Sequence, residues 1–206
     1  MSVAGLLRIS AEALESKAVV AAWAEFREEL HADPALNIRR GDMLRARKLA
    51  AGQGRPRVAS VRRGPNKAEQ WAYRQVLRRG LGVIAGLPGT TVGTAVGRGM
   101  SVTDTASSLL ARLSSRRTAD GTPAPAIIRT NTPTSSWYEL TPAPTPAAPS
   151  LVEGLPYASA ELEGLLEAAE FVAYCAYQHH ARRHNRRFLW EWFPELLPGA
   201  EGPMEL

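Results

Sequence analysis

A chain of 206 residues that is 45% hydrophobic and 22% charged is composed like a soluble globular protein, able to bury one moderate core or two small ones. Its one cysteine, Cys175, excludes an internal disulfide, and no apolar run has the length of a signal peptide or a membrane span, so the composition points to a reducing compartment. The net charge of +5 is unevenly placed: from Arg39 to Arg79 thirteen basic residues stand against Asp42 and Glu69 alone, a local excess of eleven. Such a block either spreads on solvent or is neutralised by an acidic partner, and DNA, RNA or an acidic face of another subunit would each serve.

In chain order, Ser10 is a good N-cap for a helix over residues 11–31, with Glu12 and Glu15 in its first turns. Leu14, Ala18, Ala22, Phe26 and Leu30 step by four along it, widened by Val19 and Trp23, and Pro34 marks its end. Residues 35–65 mix Gly41, Gly52, Gly54, Pro56, Gly64 and Pro65 with arginines, and only Val58 to Val61 has the look of a short strand. This stretch reads as a basic loop or arm. Its candidate partner or nucleic-acid contacts are Arg39, Arg40, Arg45, Arg47, Arg55, Arg57, Arg62 and Arg63.

A second helix is expected from near Asn66 to Arg79, closed by Gly80. The following glycines (80, 82, 86, 89, 93, 97 and 99) invite a phosphate-loop reading, but a Walker loop needs a Lys and then a Ser or Thr after its last glycine, and neither is present. The spacing of Gly80, Gly82 and Gly86 comes after a helix rather than a strand and misses a dinucleotide fingerprint by one position. A flexible or close-packed loop is the simpler expectation.

Ser101 to Asp104 has a capping-box arrangement ahead of a short helix over 102–114, and residues 124–130 read as a strand centred on Ile127 and Ile128. Residues 132–149 carry Pro133, Pro142, Pro144, Pro146 and Pro149, a spacing that favours an extended arm. Trp137 and Tyr138 within it either anchor the segment on a neighbour or tuck back onto their own core.

The longest helical pattern follows Pro156-Tyr157-Ala158: Leu162, Leu165, Leu166, Ala169, Val172, Ala173 and Ala176 recur at helical spacing. Glutamates fill its first half, while His179, His180, Arg182, Arg183 and His184 fill its end, the order a helix dipole favours. Cys175 with His179, and His180 with His184, have a metal-ligand spacing, but a third and fourth ligand are lacking and the arginines beside them repel a cation. The aromatic run Phe188 to Phe193 either closes the core or forms an interface, and aromatic rings beside arginine also suit nucleic acid. Nucleophile elbows, zinc pairs and paired-carboxylate signatures are absent from the sequence, which leaves no catalytic, cofactor-binding or metal residue to name. The expected fold is α+β, one domain in which amphipathic N-terminal and C-terminal helices pack with a small antiparallel sheet, and two arms extend at about 35–65 and 132–149.

Several phrases resemble the neck and tail-completion proteins of tailed bacteriophages. Leu155-Pro156-Tyr157-Ala158 followed by Glu161, Glu163 and Gly164 is similar to that family's Pro-Tyr-Ala phrase, with the glycine at the family spacing and the glutamates one residue to either side. Asn131-Thr132-Pro133, with Trp137-Tyr138-Glu139, resembles a second version, and Pro34 to Arg45, with Gly41 and Leu44, resembles the family's early loop. The family's Gln-Ala-Pro-type segment is missing. The resemblance implies a non-enzymatic virion subunit, assembled in the host cytoplasm into a homo-oligomeric ring at the head–tail junction or tail end. Its implied partners are other neck proteins, a portal-side adaptor or the tail tube, with no membrane. Arg39 to Arg63, Trp137, Tyr138 and Tyr157 would make its contacts, and DNA would be met through the basic arm.

Overall fold

The computed structural model describes residues 1–53, 66–101, 104–105, 108–109, 126–130 and 160–206. Its elements are β1 (Ser2–Ile9), α1 (Ala11–Glu15), α2 (Ala18–Ala32), α3 (Ala46–Ala50), α4 (Lys67–Ala85), β2 (Thr90–Gly97), β3 (Ala126–Thr130), α5 (Ala160–Ala181), a 3-10 segment (His184–Leu189), α6 (Trp192–Leu196) and β4 (Glu201–Glu205). The α+β class is as expected. The sheet is not purely antiparallel, however: its order is β3-β1-β2-β4, and β4 joins β2 in parallel while β1 runs antiparallel to both neighbours.

β1, β2 and β4 are strands that the sequence reading failed to find, and β1 is the central case. Val3, Ala4, Leu6, Leu7 and Ile9 are all buried, because a strand between two others, covered on both faces, reads as a continuous apolar run instead of an alternating one. Its odd-numbered residues face α5. At Gly5 the contact is so close that a Cβ would sit 2.5 Å from the backbone N of Ala173 and 2.9 Å from the backbone O of Ala169. Only glycine permits helix and sheet to approach that far.

α5 lies against β1 and β3, and α2, α3, α4 and α6 pack around its other sides. From Leu165 to Ala176 every residue but Glu170 and Tyr174 is buried. The helix is therefore enclosed nearly all round, and a single amphipathic stripe does not describe it. Trp23 meets Phe26 at 5.1 Å and Phe171 at 5.8 Å between ring centroids, joining α2 to α5.

Three further expectations need correction. The first helix is split, with Lys17 in the left-handed region (φ 56) between α1 and α2, although Ser10 does cap as expected by accepting from the amide of Ala13 at 3.2 Å. Gly80 does not end α4. It is buried mid-helix, where a Cβ would come within 2.5 Å of the Phe171 ring, and the helix runs on to Ala85 before the glycine-rich stretch becomes strand β2.

The third correction concerns residues 35–53, which are no arm. Leu36, Ile38, Leu44, Ala46, Leu49 and Ala50 are buried in the core, and the hydroxyl of Tyr73 donates to the carbonyl of Leu36 at 2.9 Å. The rest of that segment, residues 54–65, and the proline-rich segment 132–149 lie outside the described residues, as does the strand reading of Val58 to Val61. Of the short helix at 102–114, residues 104, 105, 108 and 109 are described, and all four are helical.

Two glycine-to-alanine changes separate packing from propensity. Gly5→Ala must push α5 from the sheet and is expected to cost about 1–3 kcal/mol. Gly82, exposed in α4 with nothing within 4 Å of its Cβ position, should gain up to about 1 kcal/mol as alanine. Urea midpoints of the two variants against the parent check both signs.

Candidate polyanion-binding face

The arginines of the basic block have two fates. Arg40 makes a bidentate contact with Glu28, with nitrogen to oxygen distances of 2.8 and 3.0 Å that hold the Glu28 carboxyl below its ordinary range. Arg45 reaches Glu170 at 3.1 Å. Both are thus neutralised within the chain. Arg39 and Arg47 are exposed, and no carboxylate among the described residues pairs with either side chain. Arg55, Arg57, Arg62, Arg63, Trp137, Tyr138 and Tyr157 lie outside the described residues.

What draws residues 39–45 inward is a buried ion pair. Glu167, on α5, accepts from the amide of Leu44 at 2.6 Å and faces Arg27 of α2 at 3.6 Å. Arg27 in turn donates to the carbonyls of Arg40 at 3.2 Å and Asp42 at 2.5 Å. Burial raises the Glu167 pKa, while Arg27, the Leu44 amide and the Trp23 indole act against it. The pair turns the loop backbone toward the core and its guanidiniums outward.

Part of the positive charge left over stands on α4, with α3, the 3-10 segment and α6 beside it. On α4, Lys67, Trp71, Arg74 and Arg78 share a helix face at spacings of four, three and four. The Asn66 and Glu69 capping box starts that helix, with the Glu69 amide donating to Asn66 at 2.9 Å and the Asn66 amide to Glu69 at 3.0 Å. The 3-10 segment and α6 lie alongside. Arg74 stands 4.8 Å above the Phe188 ring, and its Nε donates to the carbonyl of Ala50 at 3.3 Å, which ties α4 to α3.

Arg47 of α3 and Arg186 of the 3-10 segment meet near Tyr174. Burial raises that hydroxyl's pKa, and the two arginines pull it back. Arg78 differs, because its charge is taken by Glu195 and its guanidinium lies 5.9 Å from the Trp192 ring. Among the described residues no carboxylate forms an ion pair with Lys67, Arg74, Arg47, Arg186 or Arg187. By contrast Arg8, Arg27, Arg40, Arg45, Arg78, Arg79, Arg98 and Arg182 pair in turn with Glu201, Glu167, Glu28, Glu170, Glu195, Glu29, Glu205 and Glu191.

Trp71 is 48% exposed in the middle of this face. Its ring is held from the side by Phe188 and Trp192, each 6.5 Å away and inclined at 66°. The C-terminal aromatic run therefore closes the core through the buried Leu189, Trp192 and Phe193 and also presents rings outward. Sequence reading singled out Arg47 and the aromatic run, but it missed Lys67, Trp71 and Arg74, whose helical spacing was the available signal.

Cys175 is fully buried, which raises its thiol pKa, and His179 turns its Nδ1 to the carbonyl of Trp190 at 2.6 Å. Among the described residues no cluster of His, Cys, Asp or Glu could hold a metal ion, and no helix is long and apolar enough to cross a membrane. Comparisons with protein-family models, curated proteins and solved structures find no match to this chain. The face is accordingly read from its own chemistry.

The Glu167 pair makes a pH prediction. A carboxyl whose folded pKa lies above its unfolded value contributes stability that is complete below the unfolded pKa and is lost as pH rises through the folded one. Urea denaturation across this range should show the parent losing stability relative to Glu167→Gln as pH increases. Parallel curves for the two proteins would remove the assignment.

Proposed function

We propose that this chain is a non-enzymatic structural subunit of a tailed-phage virion, part of the neck or tail-completion ring at the head–tail junction or tail end. The resemblance of the Pro34 to Arg45 loop and of the Pro-Tyr-Ala phrase supplies the setting. The observation that carries a binding role is the sorting of charge: most described arginines are neutralised internally, while Lys67 and Arg74 stay without a carboxylate partner on the α4 face that also carries the exposed Trp71. A subunit that meets DNA or an acidic partner ring needs such a face, because the counter-charge then comes from the other molecule. Deleting the gene from the genome that encodes it should leave full heads and tails unjoined in electron micrographs. Intact, infectious, tailed particles from that deletion would overturn the proposal.

A second reading, a stand-alone nucleic-acid-binding protein, is favoured by one specific observation: the exposed Trp71 shares a helix face with Lys67 and Arg74. For that protein, affinity for duplex DNA should fall with salt at a log-log slope of roughly 0.9 per phosphate neutralised. Reversing charge with Arg47→Glu and Arg186→Glu should flatten the slope by about one for each phosphate that is then left without its cation. Fluorescence anisotropy over a salt series measures both. A virion subunit whose face meets only an acidic protein would show neither effect.

A further inference from the structure

We infer that the face around Trp71 takes single-stranded nucleic acid, with an unpaired base stacked on the indole and the flanking phosphates held by Arg47, Arg74, Arg186 and Lys67. The inference rests on the nucleic-acid reading of this face and adds the class of ligand.

Three observations carry it. The first is the rigidity of the platform. Trp71 lies in the second turn of a capped helix, and Phe188 and Trp192 brace it at 6.5 Å from the side, so the ring keeps one orientation while about half of its surface remains open. A braced ring loses little side-chain entropy when a ligand stacks on it.

The second is the arrangement of charge. Arg74 is pinned over Phe188 by stacking and to Ala50 by a hydrogen bond, which fixes its guanidinium three residues from the indole along the same helix face. Lys67 lies one turn before the indole on the same helix face, and Arg186 belongs to the 3-10 segment whose Phe188 braces the ring, while Arg47 and Arg186 both stand near Tyr174. The nearest acidic groups with assigned roles are occupied: Glu69 closes the capping box and Glu195 pairs with Arg78.

The third is the chemistry of a flat exposed ring among guanidiniums. Duplex nucleic acid hides its base faces within the stack, and an indole gains nothing from them there. An unpaired base offers a π-face of any sequence, and stacking of this kind adds about 1–3 kcal/mol per base to binding. An acidic peptide would use the arginines and leave the indole idle.

The test uses the full chain with three labelled probes: an oligothymidylate of about fifteen nucleotides, a duplex of equal length, and polyglutamate. The single strand should bind roughly tenfold or more tighter than the duplex, and Trp71→Ala should erase that preference. Trp71→Phe, which keeps a ring, should retain much of it and guards against a variant that fails for lack of folding. Arg47→Glu with Arg186→Glu should weaken single strand and duplex alike.

Equal affinity for the two nucleic acids, or a preference that survives Trp71→Ala, overturns the single-strand inference and leaves the nucleic-acid reading standing if charge reversal still matters. Polyglutamate as the tightest probe, or charge reversal without effect on either nucleic acid, overturns both.

Discussion

The fold depends on how closely α5 approaches β1. At Gly5 a strand without a side chain receives the backbone of Ala169 and Ala173, and the helix sinks far enough into the sheet that its other sides must be covered as well. α2, α3, α4 and α6 supply that cover. A bulkier residue at the crossing would raise α5, and Phe171 would then no longer meet both Trp23 and the bare backbone of Gly80. Small residues at three places, Gly5, Gly80 and Gly164, let large rings and a helix backbone share one interior. Gly164 shows this at the start of α5, where a Cβ would fall 2.8 Å from the Trp23 ring.

Burying a carboxylate beside this crossing has a cost that the fold turns to use. Glu167 loses hydration, but it gains Arg27 and the Leu44 amide, and Arg27 holds two further carbonyls of the loop. The outcome is positional: a stretch rich in arginine is fastened by its backbone, and its side chains are free to find Glu28, Glu170 or solvent.

How far the sequence disclosed this can be judged residue by residue. α4 was legible at its start because Asn66 and Glu69 are a local signal, and α5 and β3 were legible because their patterns are long or rich in β-branched residues. β1 was not, since a strand buried on both faces has no alternation to detect. The glycines at 5 and 80 were read as punctuation or passed over, because the reason for each lies on another element distant in sequence. Residues 35–53 were taken for an arm for the same reason: what binds them is Arg27 and Glu167, and no local pattern announces a long-range ion pair. The candidate face was half visible. Arg47 and the Phe188 to Phe193 run stood out by type, while the joining of α3, α4 and the 3-10 segment into one surface is a product of tertiary packing.

The uneven pairing of arginines also bears on encounters at a distance. With the guanidiniums of Arg40, Arg45, Arg78 and Arg79 each matched by a carboxylate, the field close to α4 is set by Lys67 and Arg74, which are not. A strongly anionic body approaching within about a Debye length, roughly 10 Å at 0.1 M salt, would exert a torque that rotates the protein before the two surfaces touch. Lys67 and Arg74 would lead that approach, with Trp71 between them on the same helix face.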